Sequence, residues 1–401
     1  MDSRLKTIES GTVTSVQGFM AGAVSAGIKK QGVLDLAILC SKTSCTAAAV
    51  FTTNAIKSAP VLLNQQHLQN RKAQAVVVNS GCANACTDDK GMADAKEMAR
   101  SVAKKLGISS QDVLVASTGV IGIPLPMNKI NKGIEKVVLS GDSGHELARA
   151  MMTTDTFAKE IAIHVQAEPK GFTIGGVAKG AGMIHPNMAT MLCFLTTDAV
   201  VDVEFLQIAL KKAADDSFNM ITVDGDTSPS DTLAILANGL AGNPILDSNN
   251  GELFEKALGE VCLYLAKSIA RDGEGATKLI EVVVEGALNK AEARLAARTI
   301  ASSPLVKAAI HGNDPNWGRV VSALGRSGAE VVETKLDAYL NQICVMKQGH
   351  PMPFDKQQAS ASLDNKEVLL RVNLNLGQDR AIAWGCDLSA EYVNINSVYT
   401  T

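Results

Sequence analysis

Gly175-Gly176-Val177-Ala178-Lys179-Gly180-Ala181-Gly182-Met183-Ile184-His185-Pro186-Asn187-Met188-Ala189-Thr190-Met191-Leu192 is the stretch of the chain that decides its fold. Four of the first eight residues are glycine, with one lysine among them. Glycine loses more conformational freedom on folding than any other residue, so a glycine-dense loop around Lys179 needs a reason to exist. The small pair Ala189-Thr190 follows, and Met191-Leu192-Cys193-Phe194-Leu195 then reads as a buried strand.

Phosphate binding is the first reason to test, and it fails on detail. A P-loop opens its helix with Gly-Lys and a hydroxyl residue, and the chain has no Gly-Lys dipeptide. G-x-G-x-x-G, G-x-S-x-G and H-E-x-x-H are missing as well, which removes the common dinucleotide, α/β-hydrolase and zinc-protease signatures. The second reason is a nucleophile at the junction of loop and strand. A threonine hydroxyl is a poor nucleophile without a base beside it. If the Ala189–Thr190 bond is cut, Thr190 gains an α-amine whose ordinary pKa, about 7.7–8.0, suits a base near neutral pH. Read from the residues alone, Thr190 is more simply a threonine that starts a strand.

Outward from this stretch, strand-like and helix-like segments alternate. Ala75–Asn79 and Val113–Ala116 are short apolar runs ending in Asn79-Ser80-Gly81 and Ser117-Thr118-Gly119. Met92, Ala95, Ala99, Val102 and Leu106 share a helical face ahead of Gly107, and Leu258, Val261, Cys262, Leu265 and Ile269 share another. Leu279–Glu285 reads as a strand and Ala291–Ser302 as a helix stopped before Pro304. The alternation predicts an α/β fold without saying which.

Composition narrows the function. The 401 residues are 46% hydrophobic and carry a formal net charge of −3, with no run of five like charges. A nucleic-acid partner needs a basic stripe with interleaved aromatics, and there is none. No window approaches the ~20 apolar residues of a membrane span, and the N-terminal residues lack a signal-like apolar stretch. A cytoplasmic protein is expected, with no membrane partner. The eight cysteines form no C-x-x-C pair and read as reduced, mostly buried thiols. Cys82 and Cys86, four apart, are two ligands without a partner motif, so no metal is expected.

The stretch Lys179–Leu192 resembles the self-cleavage signature of the ornithine acetyltransferase family, also called glutamate N-acetyltransferase. Asn79–Ala85, Ala116–Gly122, Met152–Thr156, Thr222–Thr232, Arg271–Lys278, Asp314–Arg319 and Val393–Thr401 match the same family in order. The resemblance implies a four-layer α/β/β/α sandwich with N-terminal-nucleophile chemistry. The chain would cut itself into an α piece, 1–189, and a β piece, 190–401, which assemble as an α2β2 heterotetramer. It implies Thr190 as the nucleophile, and Thr118 and Gly119 as the oxyanion hole. Thr153, Lys179, Thr190, Glu274, Asn396 and Thr401 would bind substrate.

Those roles are chemically coherent. An amino-acid substrate brings a carboxylate, which Lys179 suits, and an amine, which Glu274 suits. The expected reaction is ping-pong acetyl transfer from N2-acetylornithine to glutamate in arginine biosynthesis, with acetyl-CoA as a further donor in some members and no bound cofactor. Without the resemblance, Ser117-Thr118-Gly119 is a strand-to-loop turn and Glu274 a solvated residue after a helix. Asp224-Gly225-Asp226-Thr227 and Asp314–Arg319 read as structural turns near the site. Cys82 and Pro229-Ser230 depart from the family's usual residues. Two other functions stay open: a hydrolase of a related self-cleaving fold, passing the acyl group to water, and a non-catalytic thiol or metal protein using Cys82 and Cys86.

Overall fold

Strand β3, Leu36–Phe51, organises the N-terminal part by belonging to two layers at once. Its first half pairs with β2, Phe19–Val24, and β4, Lys72–Cys82, and its second half pairs with β9, Thr232–Ala237. The register shifts between Cys40 and Cys45, where an irregularity lets the strand bend from one layer into the next. The computed structural model describes residues 2–185 and 191–398.

The side-chain alternation of β3 records the layers. Leu36, Ile38 and Cys40 pack under α1 (Ala59–His67), α2 (Asp88–Leu106) and α3 (Met127–Lys136). Ala37, Leu39, Cys45 and Ala47 face inward against Val76, Val78, Leu192, Phe194, Ala234 and Leu236. Ala48 and Val50 face α5 (Val203–Asp216) and α6 (Glu252–Arg271). Three apolar cores therefore separate four layers, helix, sheet, sheet and helix, which is the expected α/β/β/α sandwich.

The nine strands run in the order β1 (Leu5–Thr7), β6 (Lys159–Val165), β7 (Phe172–Lys179), β8 (Leu192–Thr197), β9, β3, β4, β5 (Val113–Val120), with β2 beside β3. Helix α4, Gly144–Met151, lends Leu147, Ala148, Ala150 and Met151 to the core between the sheets. The longer helices follow their sequences closely. Helix α2 begins with Asp88-Asp89 and ends with Lys104-Lys105, complementing its dipole, and Gly107 closes it in a left-handed conformation.

A second sheet of six strands continues the outer core beyond α6. Its order is β13 (His350–Pro351), β12 (Ile343–Lys347), β11 (Asp337–Leu340), β14 (Glu367–Asn373), β10 (Leu279–Ala287), β15 (Asp379–Cys386). Helix α7, Lys290–Ala301, lies on β10 and β15 and touches α8 (Pro304–His311) and α9 (Trp317–Gly325). Helix α10 is Lys356–Ser362, and α11, Ala390–Val398, follows β15. Among the described residues no helix is long and apolar enough to cross a membrane.

The structure corrects the reading of Gly175–Gly182 as a loop. Phe172–Lys179 is strand β7, buried at every position. A Cβ on Gly175 would press on the Thr12 carbonyl oxygen, and one on Gly176 on Leu195, Leu265 and Val261. These two glycines serve close packing between layers, and Lys179 is the strand's last residue.

Candidate active site

The cleft lies where strands of both sheet layers end. Lys179 pairs with Leu192, and Leu192 with Thr232, so the end of β7 and the starts of β8 and β9 stand side by side. From the other layer comes the end of β5, with Thr118 and Gly119 opposite Ser80 and Gly81 of β4. Thr118, Gly119, Thr153, Lys179, Glu274 and Asn396 all line this one cleft, together with Met191, Leu192, Ser230 and Asp231. Its interior of about 160 Å³ suits a small molecule, since ~150 Å³ of cavity already admits a benzene-sized ligand. Ala189, Thr190 and Thr401 lie outside the described residues.

Lys179 ties the two layers together. Its Nζ donates to Thr153 Oγ1 at 2.9 Å and to Thr118 Oγ1 at 3.3 Å. An ammonium accepts nothing, so each hydroxyl keeps its own hydrogen free to donate elsewhere. Burial lowers the pKa of Lys179, against the pull of Asp155, Asp231 and Glu274.

Gly119 is fixed by backbone geometry. It holds φ +126°, and a Cβ there would fall on the backbone of Gly81. Strand β5 is the last of its sheet. On its open edge Asn64 bonds both the N–H and the C=O of Val115, and His67 meets the Val113 carbonyl. By strand alternation, residue 119 presents its N–H on that same edge.

Beneath the cleft is a buried ionic network. Lys159, fully buried, donates to Asp155 at 2.7 Å and to Asp272 at 2.5 Å. Asp155 also accepts from the backbone N–H of Gly180 at 2.7 Å and of Thr153 at 3.0 Å. Asp272 accepts from the N–H and hydroxyl of Thr156. Burial alone would raise the carboxyl of Asp155, yet Lys179, Lys159 and these hydrogen bonds hold it down to about 2. The network joins the loop after α4, the end of β7 and the end of α6, which carry Thr153, Lys179 and Glu274.

Glu274 accepts from Asn396 Nδ2 at 2.8 Å, and its N–H donates to the Ala181 carbonyl at 2.9 Å. The first contact brings α11 to the cleft. Gly182 faces the Glu274 carboxylate so closely that a side chain there would occupy the same space.

The residues before Pro186 are gripped by the turn read as structural. Asp224 accepts from Met183 N–H at 2.6 Å and Ile184 N–H at 2.9 Å, and Thr227 donates to the His185 carbonyl at 2.9 Å. Burial, aided by Arg298, lowers the pKa of His185 to about 4, so its ring is neutral at pH 7. Asp314–Arg319 is placed differently from expectation. It leads into α9 at Trp317, and its residues 314–318 line a separate surface groove with Phe354, Lys356 and Ser360. Cys82 is buried at the end of β4 and Cys86 is exposed in the loop beyond it. Among the described residues no cluster of three or more His, Cys, Asp or Glu side chains could hold a metal ion.

Reading the residues did not single out Asp155, Lys159, Asp272 or Asp231, and it took Asp224 only as part of a structural turn. All but Lys159 fall inside blocks that matched the family, and Lys159 stands four residues after Asp155.

The model of the ArgJ family matches residues 20–401. The arginine biosynthesis bifunctional protein ArgJ of Dehalococcoides mccartyi (strain CBDB1) is 56% identical over 405 residues, covering all of both chains. That of Symbiobacterium thermophilum is 51% identical, covering 98% of this chain and 99% of its own. The crystal structure of arginine biosynthesis bifunctional protein argJ from Bacillus halodurans matches with a TM-score of 0.50 and 47% identity, covering 51% of this chain and 97% of that one. The chain belongs to the ArgJ family of arginine-biosynthesis enzymes.

Proposed function

We propose that the chain cuts itself between Ala189 and Thr190 and transfers an acetyl group from N2-acetylornithine to glutamate through an acetyl-Thr190 ester. The observation that carries this reading is the cleft itself. Hydroxyl, backbone N–H, ammonium and carboxylate groups from both layers meet beside Met191, the residue after Thr190.

Thr190 Oγ attacks the acetyl carbonyl, and its proton passes to the α-amine of the same residue. The negative oxygen is held by the Thr118 hydroxyl, whose hydrogen is free because Lys179 donates to its oxygen, and by the Gly119 N–H. The C–N bond breaks, the amine's proton goes to the departing nitrogen, and ornithine leaves. Glutamate's amine attacks the ester, Thr190 Oγ recovers its proton, and N-acetylglutamate leaves. Lys179 with Thr153 suits the substrate carboxylate, and Glu274 with Asn396 suits its amine. No step needs a cofactor.

Two observations support the cut. The solved Bacillus halodurans chain is about half as long as this one, although the curated relatives match end to end. Strand β8, from the second piece, lies hydrogen-bonded between β7 of the first piece and β9, and β9 pairs with β3. The pieces would thus stay joined after the bond is broken, and two such pairs form the α2β2 assembly. The word bifunctional in the relatives' names supports acetyl-CoA as a second donor.

Intact-mass spectrometry of the protein beside Thr190→Ala tests the reading. Fragments ending at Ala189 and beginning at Thr190, with the variant whole, are expected. Glutamate acetylation is then assayed from each donor separately. An uncut wild-type chain, or full transfer by Thr190→Ala, would overturn it, and free acetate formed at the same rate without glutamate would make the enzyme a hydrolase.

A further inference from the structure

The two substrates proposed above end in opposite charges. Ornithine carries a side-chain ammonium and glutamate a side-chain carboxylate, yet both must reach the same acetyl-transfer centre. The Glu274 carboxylate suits the ammonium, and a second carboxylate brought beside it would meet like charge. The glutamate side chain therefore needs a place of its own.

The wall ahead of β9 has the right chemistry. Residues 227–231 form a turn that is bonded from behind. The Thr52 hydroxyl donates to the Ser228 carbonyl at 2.7 Å, Asn54 Nδ2 to the Thr227 carbonyl at 2.7 Å, and the Ser58 N–H to the Pro229 carbonyl at 3.0 Å. The Ser228 hydroxyl is also in use, accepting from the Ser230 N–H at 3.2 Å and acting on the Asp231 carboxyl. Ser230 lines the cleft, is only 8% exposed, and among the described residues its Oγ has no hydrogen-bond partner. A buried hydroxyl left unpaired is costly, and a ligand that pairs with it in the cleft removes that cost. Asp231 Oδ2 is unpaired as well. Burial raises that carboxyl well above the ordinary range, against the Ser228 hydroxyl and the Lys179 ammonium. This favours its neutral form and weakens its repulsion of an arriving carboxylate.

Strand order keeps the two walls apart. Lys179, Leu192 and Thr232 stand in one row across β7, β8 and β9. Ser230 enters the cleft from the β9 end of that row. Glu274, bonded through its N–H to the Ala181 carbonyl, enters from the β7 end. Neighbouring strands lie ~4.8 Å apart, so two spacings, ~10 Å, separate the ends.

We infer that Ser230 is the specificity-determining residue for glutamate, its hydroxyl donating to the side-chain carboxylate, while the side-chain ammonium of ornithine goes to Glu274. The inference deepens the acetyl transfer proposed above and rests on it.

In a ping-pong reaction, kcat/KM for each substrate reports its own half-reaction alone. The test compares both values in Ser230→Ala and wild type, each first checked by intact mass. Losing one hydrogen bond to a charged group should lower kcat/KM for glutamate by about tenfold to a hundredfold. The value for N2-acetylornithine should stay close to wild type. Glu274→Gln should move the ratio of the two values the other way. Equal falls for both substrates in Ser230→Ala would mark a merely structural loss and overturn the inference, as would an unchanged value for glutamate. A ratio that moves in the same direction in both variants would put the two side-chain ends in one place and overturn it too. Should Ser230→Ala fail to fold, Ser230→Cys keeps the size and weakens the donor, and the same ratio decides. A wild type that moves no acetyl group from N2-acetylornithine to glutamate would sink this inference together with the reading beneath it. An active wild type whose ratio Ser230→Ala leaves unmoved would remove only the role of Ser230.

Discussion

Lys179 and Thr118 come from different layers of the sandwich, and the ammonium of one donates to the hydroxyl oxygen of the other at 3.3 Å. This contact makes the threonine a one-way group: its oxygen is occupied and its hydrogen must point elsewhere. Thr118→Val keeps the shape and removes that hydrogen. Its kcat should fall by ~10²–10³, the usual cost of losing one oxyanion donor, with KM little changed. Lys179→Met keeps the hydroxyl but lets it turn, so steady-state kinetics should show a smaller fall in kcat together with a raised KM. Lys179→Arg should not restore either, because a planar fork cannot replace a point donor in a buried site.

Gly119 and Gly182 both lack room for a side chain, for different reasons. At Gly119 the obstacle is the backbone of Gly81, and φ is +126°. Gly119→Ala should cost about 1–3 kcal/mol from backbone conformation alone, seen as a lower thermal midpoint. At Gly182 the obstacle is the Glu274 carboxylate, which a side-chain rotation can move. Gly182→Ala should therefore melt close to wild type while its KM for amino-acid substrate rises. Equal losses of stability in the two variants would show that Glu274 is held as rigidly as backbone.

The long helices were legible because burial repeats along them: α2 and α6 carry apolar stripes that only one helical face can satisfy. The glycines of β7 were misread because a strand packed on both faces by close layers has the same composition as a loop. At the candidate site, Thr118, Lys179 and Glu274 lie in separate segments of the chain, and only the family resemblance linked them before the strands brought them together. The Lys159–Asp272 pair spans 113 residues, and no local pattern announces it. Asp231 escaped notice for the opposite reason. It sits inside a matched block, but what sets it apart is burial with one oxygen unpartnered among the described residues, and sequence does not record that.

His185 tests the electrostatics just before the expected cut. Its folded pKa is lowered from 6.5 to about 4 by burial and by Arg298. Between those values the unfolded chain binds a proton that the folded one refuses, so this histidine's contribution to stability declines as pH falls through that window. His185→Gln should melt less steeply with pH than wild type between about pH 6.5 and 4. Equal pH slopes for the two proteins would show that His185 takes up a proton as readily folded as unfolded. Since the ring is neutral at pH 7, the variant should also leave the basic limb of the rate profile unmoved.

Lys159 carries the largest stability prediction because its removal strands two carboxylates at once. Asp155 and Asp272 are held by it at 2.7 Å and 2.5 Å, with almost no solvent at any of the three side chains. Breaking a buried ion pair from one side typically costs about 3–5 kcal/mol. Lys159→Met should lose an amount of that order at pH 7 by chemical denaturation, and should lose activity too, since Thr153 and Gly180 hang from Asp155. The pH dependence separates the electrostatic cause from simple misfit. In wild type the Asp155 pKa is lowered from 3.8 to about 2, so its stabilisation is present above 3.8 and is lost as pH falls through about 2. In the variant the stranded carboxyls are raised, and protonating them relieves the folded state. The stability gap between the two proteins should accordingly narrow as pH falls from 7 toward 4. A gap constant over that range would mean that the methionine disturbs packing and that the charge of Lys159 contributes nothing beyond filling space.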